Sequence, residues 1–273
     1  MNMKSLIVYV DRQSVSAAPL DATRALAERF DAHVIGVAAA DRVAPLYMEE
    51  GGYAVELMER ERKEIKTELT RIEHRFRTEL ATRASRLEWR SVVGFPAPFL
   101  AAQAHSADLI VIGHLRQSFS STWNVNAGDI LMAAGRPLLV IPEGAKWRDP
   151  DTIMLAWKQT RETRRAFADA LPLLKIARHI TLVSALEEDA CDPVINQLNE
   201  VRRWLERHGV NAAVRCEDIK DSAAVDLLEI SSEIRADMIV AGAYGHSRVR
   251  EWALGGVTRD LLARAACPLF LSH

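Results

Sequence analysis

The chain carries the same pattern twice, and that repeat fixes most of what it can fold into. Ala107-Asp108-Leu109-Ile110-Val111-Ile112-Gly113 returns 129 residues later as Ala236-Asp237-Met238-Ile239-Val240-Ala241-Gly242. Arg136-Pro137-Leu138-Leu139-Val140-Ile141 returns as Ala266-Cys267-Pro268-Leu269-Phe270-Leu271, 131 residues later counted on the prolines. Leu6-Ile7-Val8-Tyr9-Val10-Asp11 matches Ile153-Met154-Leu155-Ala156-Trp157-Lys158 at an offset of 147. Three matched segments in one order mean two copies of one domain. The falling offset gives the first copy about 18 extra residues in its middle. Pro142-Glu143-Gly144-Ala145-Lys146-Trp147-Arg148-Asp149-Pro150 is short, polar and bracketed by prolines, as a linker is. The boundary falls near residue 146, with a first domain over 1–145 and a second over 151–273.

Each copy reads as five strands alternating with four helices. The strands are expected at 5–11, 33–39, 86–93, 108–113 and 137–141, then at 151–157, 179–185, 210–217, 237–242 and 268–272. Runs such as Leu109-Ile110-Val111-Ile112 are apolar throughout, which suits strands buried on both faces of a parallel sheet. Between Glu56 and Leu80 the apolar residues recur mostly every three or four positions, the spacing of one helix face. Glu56/Arg60, Glu59/Lys63 and Glu73/Arg77 stand four apart as candidate ion pairs on its solvated side. This long helix takes up the extra residues of the first copy. The fold class is therefore α/β: two tandem doubly wound domains, each a five-stranded parallel sheet with helices on both faces. In such sheets ligands sit beyond the carboxyl ends of the strands, where the winding reverses.

Apolar residues at 49% and charged residues at 26% exclude general disorder. The net charge of −2 excludes a broadly basic nucleic-acid binder. Cys191, Cys216 and Cys267 lie far apart with no CxxC spacing, which argues against a disulfide framework or a structural zinc site. The start, Met1-Asn2-Met3-Lys4-Ser5-Leu6-Ile7-Val8-Tyr9-Val10-Asp11, has no signal-peptide apolar stretch, and no run reaches the ~18 apolar residues of a membrane span. The expectation is a cytoplasmic protein with neither a nucleic-acid nor a membrane partner.

The chemistry concentrates after the fourth strand of the second copy. There Gly242, Gly245, Gly255 and Gly256 form G-x2-G-x9-G-G, and a helix follows from about Val257. Glycines let a backbone approach an anion closely, and the free N–H groups at a helix start favour negative charge. Thr258, in the first helical turn, could add a hydroxyl donor, and Arg248, Arg250 and Arg259 make the neighbourhood cationic. His246 is either a phosphate donor or a solvated loop residue. The competing reading of the glycines is that they merely permit turns at element ends.

The Ala236–Gly242 lead-in, this glycine spacing and the closing Cys267-Pro268-Leu269-Phe270-Leu271 strand resemble the universal stress protein family. So does Ala156-Trp157-Lys158-Gln159-Thr160-Arg161-Glu162, followed by Arg165-Ala166-Phe167-Ala168-Asp169-Ala170-Leu171-Pro172, which looks like the second half of its tandem members. The resemblance implies a five-stranded parallel sheet, ATP or a related adenine nucleotide as ligand, with Mg²⁺ as an option and no structural metal. It implies at most slow ATP hydrolysis. Gly242, Gly245 and Gly255 match the family's phosphate glycines; Gly256 stands where the family has Ser or Thr; Val257 and Thr258 continue the match. Lys158 stands where the family usually has a nucleoside-binding Asp, and a cation cannot accept a ribose hydroxyl's proton. Ala185, near the end of the second strand, would offer backbone groups to the base.

The first copy departs differently. Asp11 is present, but Arg116 replaces the second glycine, and Asn126-Ala127-Gly128-Asp129 replaces the Gly-Ser/Thr step, placing Asp129 at the helix start where it opposes a phosphate. This loop reads as lost or repurposed. Two functions remain: a sensing or regulatory protein that binds an adenine nucleotide in its second domain, or a scaffold of the same fold that binds none. The two domains are expected to pair about a pseudo-two-fold axis along strands 137–141 and 268–272, with a homodimer of chains as a further option.

Overall fold

A computed structural model describes residues 3–12, 18–41, 52–113, 122–123, 125–186, 191–245 and 256–273. They fall into two compact units that divide between Ala134 and Gly135. The first unit runs β1 (Ser5–Tyr9), α1 (Ala18–Phe30), β2 (His33–Ala40), α2 (Gly52–Glu79), β3 (Leu87–Val93), α3 (Pro96–Gln103), β4 (Leu109–Gly113) and α4 (Ala127–Ala134). Its strands lie in the order β3-β2-β1-β4, all parallel. Leu6, Ile7, Val8, Leu109, Ile110 and Val111 have no exposed surface, so the central strands are covered on both faces, as their unbroken apolar runs require.

The second unit runs β5 (Leu138–Ile141), β6 (Thr152–Ala156), α5 (Arg161–Leu174), β7 (His179–Leu186), α6 (Cys191–Arg207), β8 (Ala213–Asp218), α7 (Ala223–Glu233), β9 (Met238–Gly242), α8 (Gly256–Arg264) and β10 (Leu269–Ser272). Its order is β5-β10-β9-β6-β7-β8. Every pair in it is parallel except β5 with β10, which run antiparallel with Leu139 opposite Phe270. The sequence repeat puts β5 at the end of the first copy; in space it belongs to the second unit. Both strands are buried along their whole length. Left as an open edge, either would present unpaired backbone groups and apolar side chains to water.

The repeat is visible in hydrogen bonds. An Asp108 carboxylate oxygen accepts the backbone N–H groups of Lys4 at 2.7 Å and Ser5 at 3.0 Å. In the other unit an Asp237 oxygen accepts those of Asp151 at 3.0 Å and Thr152 at 2.9 Å. The repeated aspartate therefore pins the start of the neighbouring first strand, satisfying amides that have no ladder partner. The expected long helix is α2, with 28 residues against 17 in its counterpart α6. Arg77 pairs with Glu73 as the spacing suggests, whereas Arg60 turns forward to Glu64 at 3.1 Å rather than back to Glu56.

One sequence expectation is overturned. Cys216, on β8, is disulfide-bonded, while Cys267 is free. Distance along the chain had argued against a disulfide, but bonding depends on which element ends meet in space. Burial pushes the Cys267 thiol up to about 11, so it stays protonated at neutral pH.

Gly36, in β2, shows how tightly the first unit packs. A Cβ there would stand 2.6 Å from Trp89 Cε3 and 2.9 Å from the Phe76 ring. Those two rings pack with centroids 5.3 Å apart and hold α2 on the sheet. The substitution Gly36→Ala should cost about 1–3 kcal/mol of stability through overpacking, measured by urea denaturation.

Candidate functional site

The site forms at the carboxyl ends of β9 and β6, where the winding of the second unit reverses. Gly242 closes β9 directly against α5. A Cβ on Gly242 would lie 2.4 Å from the Thr163 nitrogen and 2.8 Å from its Cα, so only glycine lets that helix start come so close. The chain then turns through Tyr244 at a φ of 58°. Ala243 donates its N–H to the Ser272 carbonyl at 2.9 Å, and the His273 ring nitrogen Nδ1 lies 3.1 Å from the Ala243 carbonyl. Gly245 follows. A Cβ there would stand 3.0 Å from Glu162 Oε2 and 3.1 Å from Thr160 Cγ2.

The start of α5 thus forms one wall. Thr160 is its N-cap: the hydroxyl oxygen accepts the Thr163 N–H at 3.2 Å, while the Thr160 N–H donates to the Lys158 carbonyl at 2.7 Å. Lys158 itself is exposed at the mouth. Glu162 is 3% exposed and ion-paired with Arg161. Burial raises its pKa, but hydrogen bonds from Arg161, its own N–H and Thr160 outweigh that and hold the carboxyl below the ordinary glutamate range. Under Lys158, the Trp157 ring packs on Phe167 at 5.8 Å, and its indole N–H is buried without a partner among the described residues. From the sequence, Glu162 enters only within the Ala156–Glu162 segment, with no role of its own. No residue pattern distinguishes a buried carboxylate at a helix start from the solvated kind.

The other wall is the start of α8. Around a Cβ built on Gly256, none of the described residues comes within 4 Å. Val257 is exposed, and Thr258 is buried with its hydroxyl oxygen 3.5 Å from the Tyr244 N–H that it accepts. The first helical turn is therefore held against Tyr244, while no described residue closes on its Gly256 side. Arg259 lies 3.6 Å from Asp260. Ala185 lies in β7 opposite Glu217 on β8. His246 and Gly255, with Arg248, Arg250 and Trp252, lie outside the described residues. The structure so brings Gly242, Gly245, Gly256, Val257 and Thr258 to one loop and helix start, with Lys158 at the end of the adjoining strand. An open helix start offers unpaired backbone N–H groups and a positive dipole end, which suit an anion.

The corresponding helix start of the first unit is closed. Asn126 Oδ1 accepts the Gly128 N–H at 2.7 Å, so a side chain of the chain itself occupies one of the free donors of α4. Asp129 adds negative charge in the same turn. Gly113 packs beside Pro19 Cγ, at 3.3 Å from where a Cβ would be, and Asp11 is buried. His114 and Arg116 lie outside the described residues. Those residues include no cluster of three or more His, Cys, Asp or Glu able to hold a metal, and no helix long and apolar enough to cross a membrane.

Comparison with known proteins agrees with this layout. Residues 169–273 match the model of the universal stress protein family. A universal stress protein from Archaeoglobus fulgidus superposes with a TM-score of 0.70 at 14% identity, covering 98% of this chain and 97% of that one. A candidate universal stress protein from Pseudomonas aeruginosa gives 0.64 at 12% identity, over 99% and 93%. A functionally unknown protein from the same organism gives 0.63 at 12% identity, over 99% and 92%. At these identities the likeness shows the fold. No curated protein sequence matches the chain.

Two outcomes follow for the site's framework. Gly242→Ala should lose at least about 2 kcal/mol in urea denaturation, because the helix backbone cannot yield as a side chain does. Glu162→Gln tests the buried carboxylate. Its lowered native pKa stabilises the fold above the unfolded value, and that contribution fades as pH falls through the native one. The wild type should therefore lose more stability than the variant as pH drops below about 4.3, and the two curves should converge in acid.

Proposed function

We propose, from the match of residues 169–273 to the model of the universal stress protein family, that the second unit binds ATP or a related adenine nucleotide, in a regulatory or sensing role connected with stress. The observation that carries this reading is that no described residue comes within 4 Å of a Cβ built on Gly256 at the start of α8. Gly256 and Val257 would present backbone N–H groups to the phosphate tail, with Gly255 beside them in the sequence. Thr258 braces the turn through Tyr244, and Lys158 and Arg259 supply positive charge near its two ends. Ala185 would offer backbone groups to the base, and His246 a further donor. Mg²⁺ would arrive with the nucleotide. With no general base in the set, at most slow hydrolysis is expected.

One observation favours the second reading, a scaffold that binds no nucleotide. The ionised Glu162 carboxylate lies beside Gly245, where negative charge works against a phosphate. Its ion pair with Arg161 offsets that charge locally, which keeps nucleotide binding as the first reading.

Calorimetric titration of MgATP separates the two. Wild-type protein should bind saturably below about 1 mM. Gly256→Asp places a carboxylate at the helix start, which favours the helix but repels phosphate. It should weaken ATP at least about tenfold without lowering the melting temperature. Lys158→Ala should weaken ATP while leaving adenosine unchanged. Absence of saturable wild-type binding leaves the scaffold reading.

A further inference from the structure

We propose that the first unit carries a ligand site of its own, for a small zwitterion bearing both an ammonium and a carboxylate group. This inference is independent of the nucleotide reading, which concerns the other unit. Beyond the carboxyl ends of β1 and β2 lies a pocket of about 610 Å³, within the ~300–1,000 Å³ range of small-molecule sites. Helix α2 forms one side of it, and Arg12, Asp41 and Trp123 stand on the other. The extra residues of the first copy thus build a wall where the glycine loop no longer offers an open helix start.

The floor is fixed. The Tyr9 hydroxyl lies 2.7 Å from the Trp123 carbonyl and 3.0 Å from that of Ala39, and Asp41 donates its N–H to the Thr122 carbonyl at 3.0 Å. Trp123 is only 7% exposed. Tyr9 stays protonated, because burial and then the nearby Asp11 charge raise its pKa.

The lining charges identify the ligand class. Carboxylates come from Asp41, Glu61, Glu64 and Glu68, and cations from Arg12, Arg60 and Lys63. Several of these are already spent on one another. Arg60 pairs with Glu64 at 3.1 Å, and Arg71 takes both oxygens of Glu68 at 2.6 and 3.0 Å. The side chains of Glu61 and Lys63 enter no hydrogen bond or ion pair among the described residues, and Arg12 reaches Glu68 only at 3.9 Å. What remains for a ligand is one carboxylate and two cationic groups around a tryptophan floor. A lining that mixes both signs suits neither a polyphosphate nor a simple polyamine as well as a ligand bearing both charges. A zwitterion satisfies both signs: its carboxylate meets Arg12 and Lys63, and its ammonium meets Glu61.

Three probes sharing a four-carbon chain test this by calorimetry on the full chain: γ-aminobutyrate, putrescine and succinate. The zwitterion should bind saturably within about 20 mM, at least about tenfold more tightly than the diamine or the diacid. Neither Glu61 nor Lys63 is buried, so Glu61→Gln and Lys63→Met should keep the wild-type melting temperature, while each weakens γ-aminobutyrate at least about fivefold. Gly256→Asp, in the other unit, should leave this binding unchanged. The proposal is overturned by no saturable γ-aminobutyrate binding, by equal affinity for putrescine or succinate, or by unaltered affinity in either α2 variant.

Discussion

The approach of α5 to the end of β9 is the contact on which the second unit's site depends. Without a side chain on Gly242, the backbone of Thr163 sits against the strand. That brings the α5 N-cap, its buried Glu162 and the exposed Lys158 to the same edge as the loop leading to α8. The first unit repeats the arrangement more loosely, with Gly113 against Pro19. A glycine at the end of the fourth strand is thus first a packing requirement of the doubly wound sheet. A role toward an anion is built on a backbone already placed by that contact.

The two units then diverge at their last helices. In α4 the Asn126 side chain takes an N–H of the first turn, as an ordinary N-cap does. In α8 the residue at that turn is Gly256, with no described residue within 4 Å of a Cβ there, and Thr258 holds the turn through Tyr244. Among the described residues, the fold therefore presents one helix start closed by a side chain of its own and one that no side chain closes. The first unit has invested its extra length elsewhere, in the charged overhang of α2. Duplication supplied two crevices at equivalent ends of two sheets, and the side chains around them differ.

The sheets were largely legible from the sequence because burial on both faces demands unbroken apolar runs, and Leu109–Ile112 and Met238–Ala241 meet that demand locally. All ten strands and the helix starting near Val257 follow from such patterns. The long α2 follows from its three-to-four spacing. Asp108 and Asp237 were legible as a repeat but not in their role. Their bonds reach strands 104 and 86 residues away, and sequence spacing carries no information on such partners. Of the ion pairs expected on α2, Glu73/Arg77 forms, no Glu59/Lys63 pair is present among the described residues, and Arg60, which helix register allows either neighbour, takes Glu64 in place of Glu56.

By itself the sequence determined that the chain is a duplicated α/β protein, and that its glycine loop opens at the carboxyl end of a buried strand. Tertiary structure alone decided that Cys216 is bonded, and that Gly242 faces a helix backbone while no described residue comes within 4 Å of a Cβ on Gly256. The physical reason is one of range. Apolar periodicity and turn chemistry act between near neighbours and are written in the order of residues. Which surfaces meet, and which glycine has a wall behind it, depends on distances between segments far apart in that order.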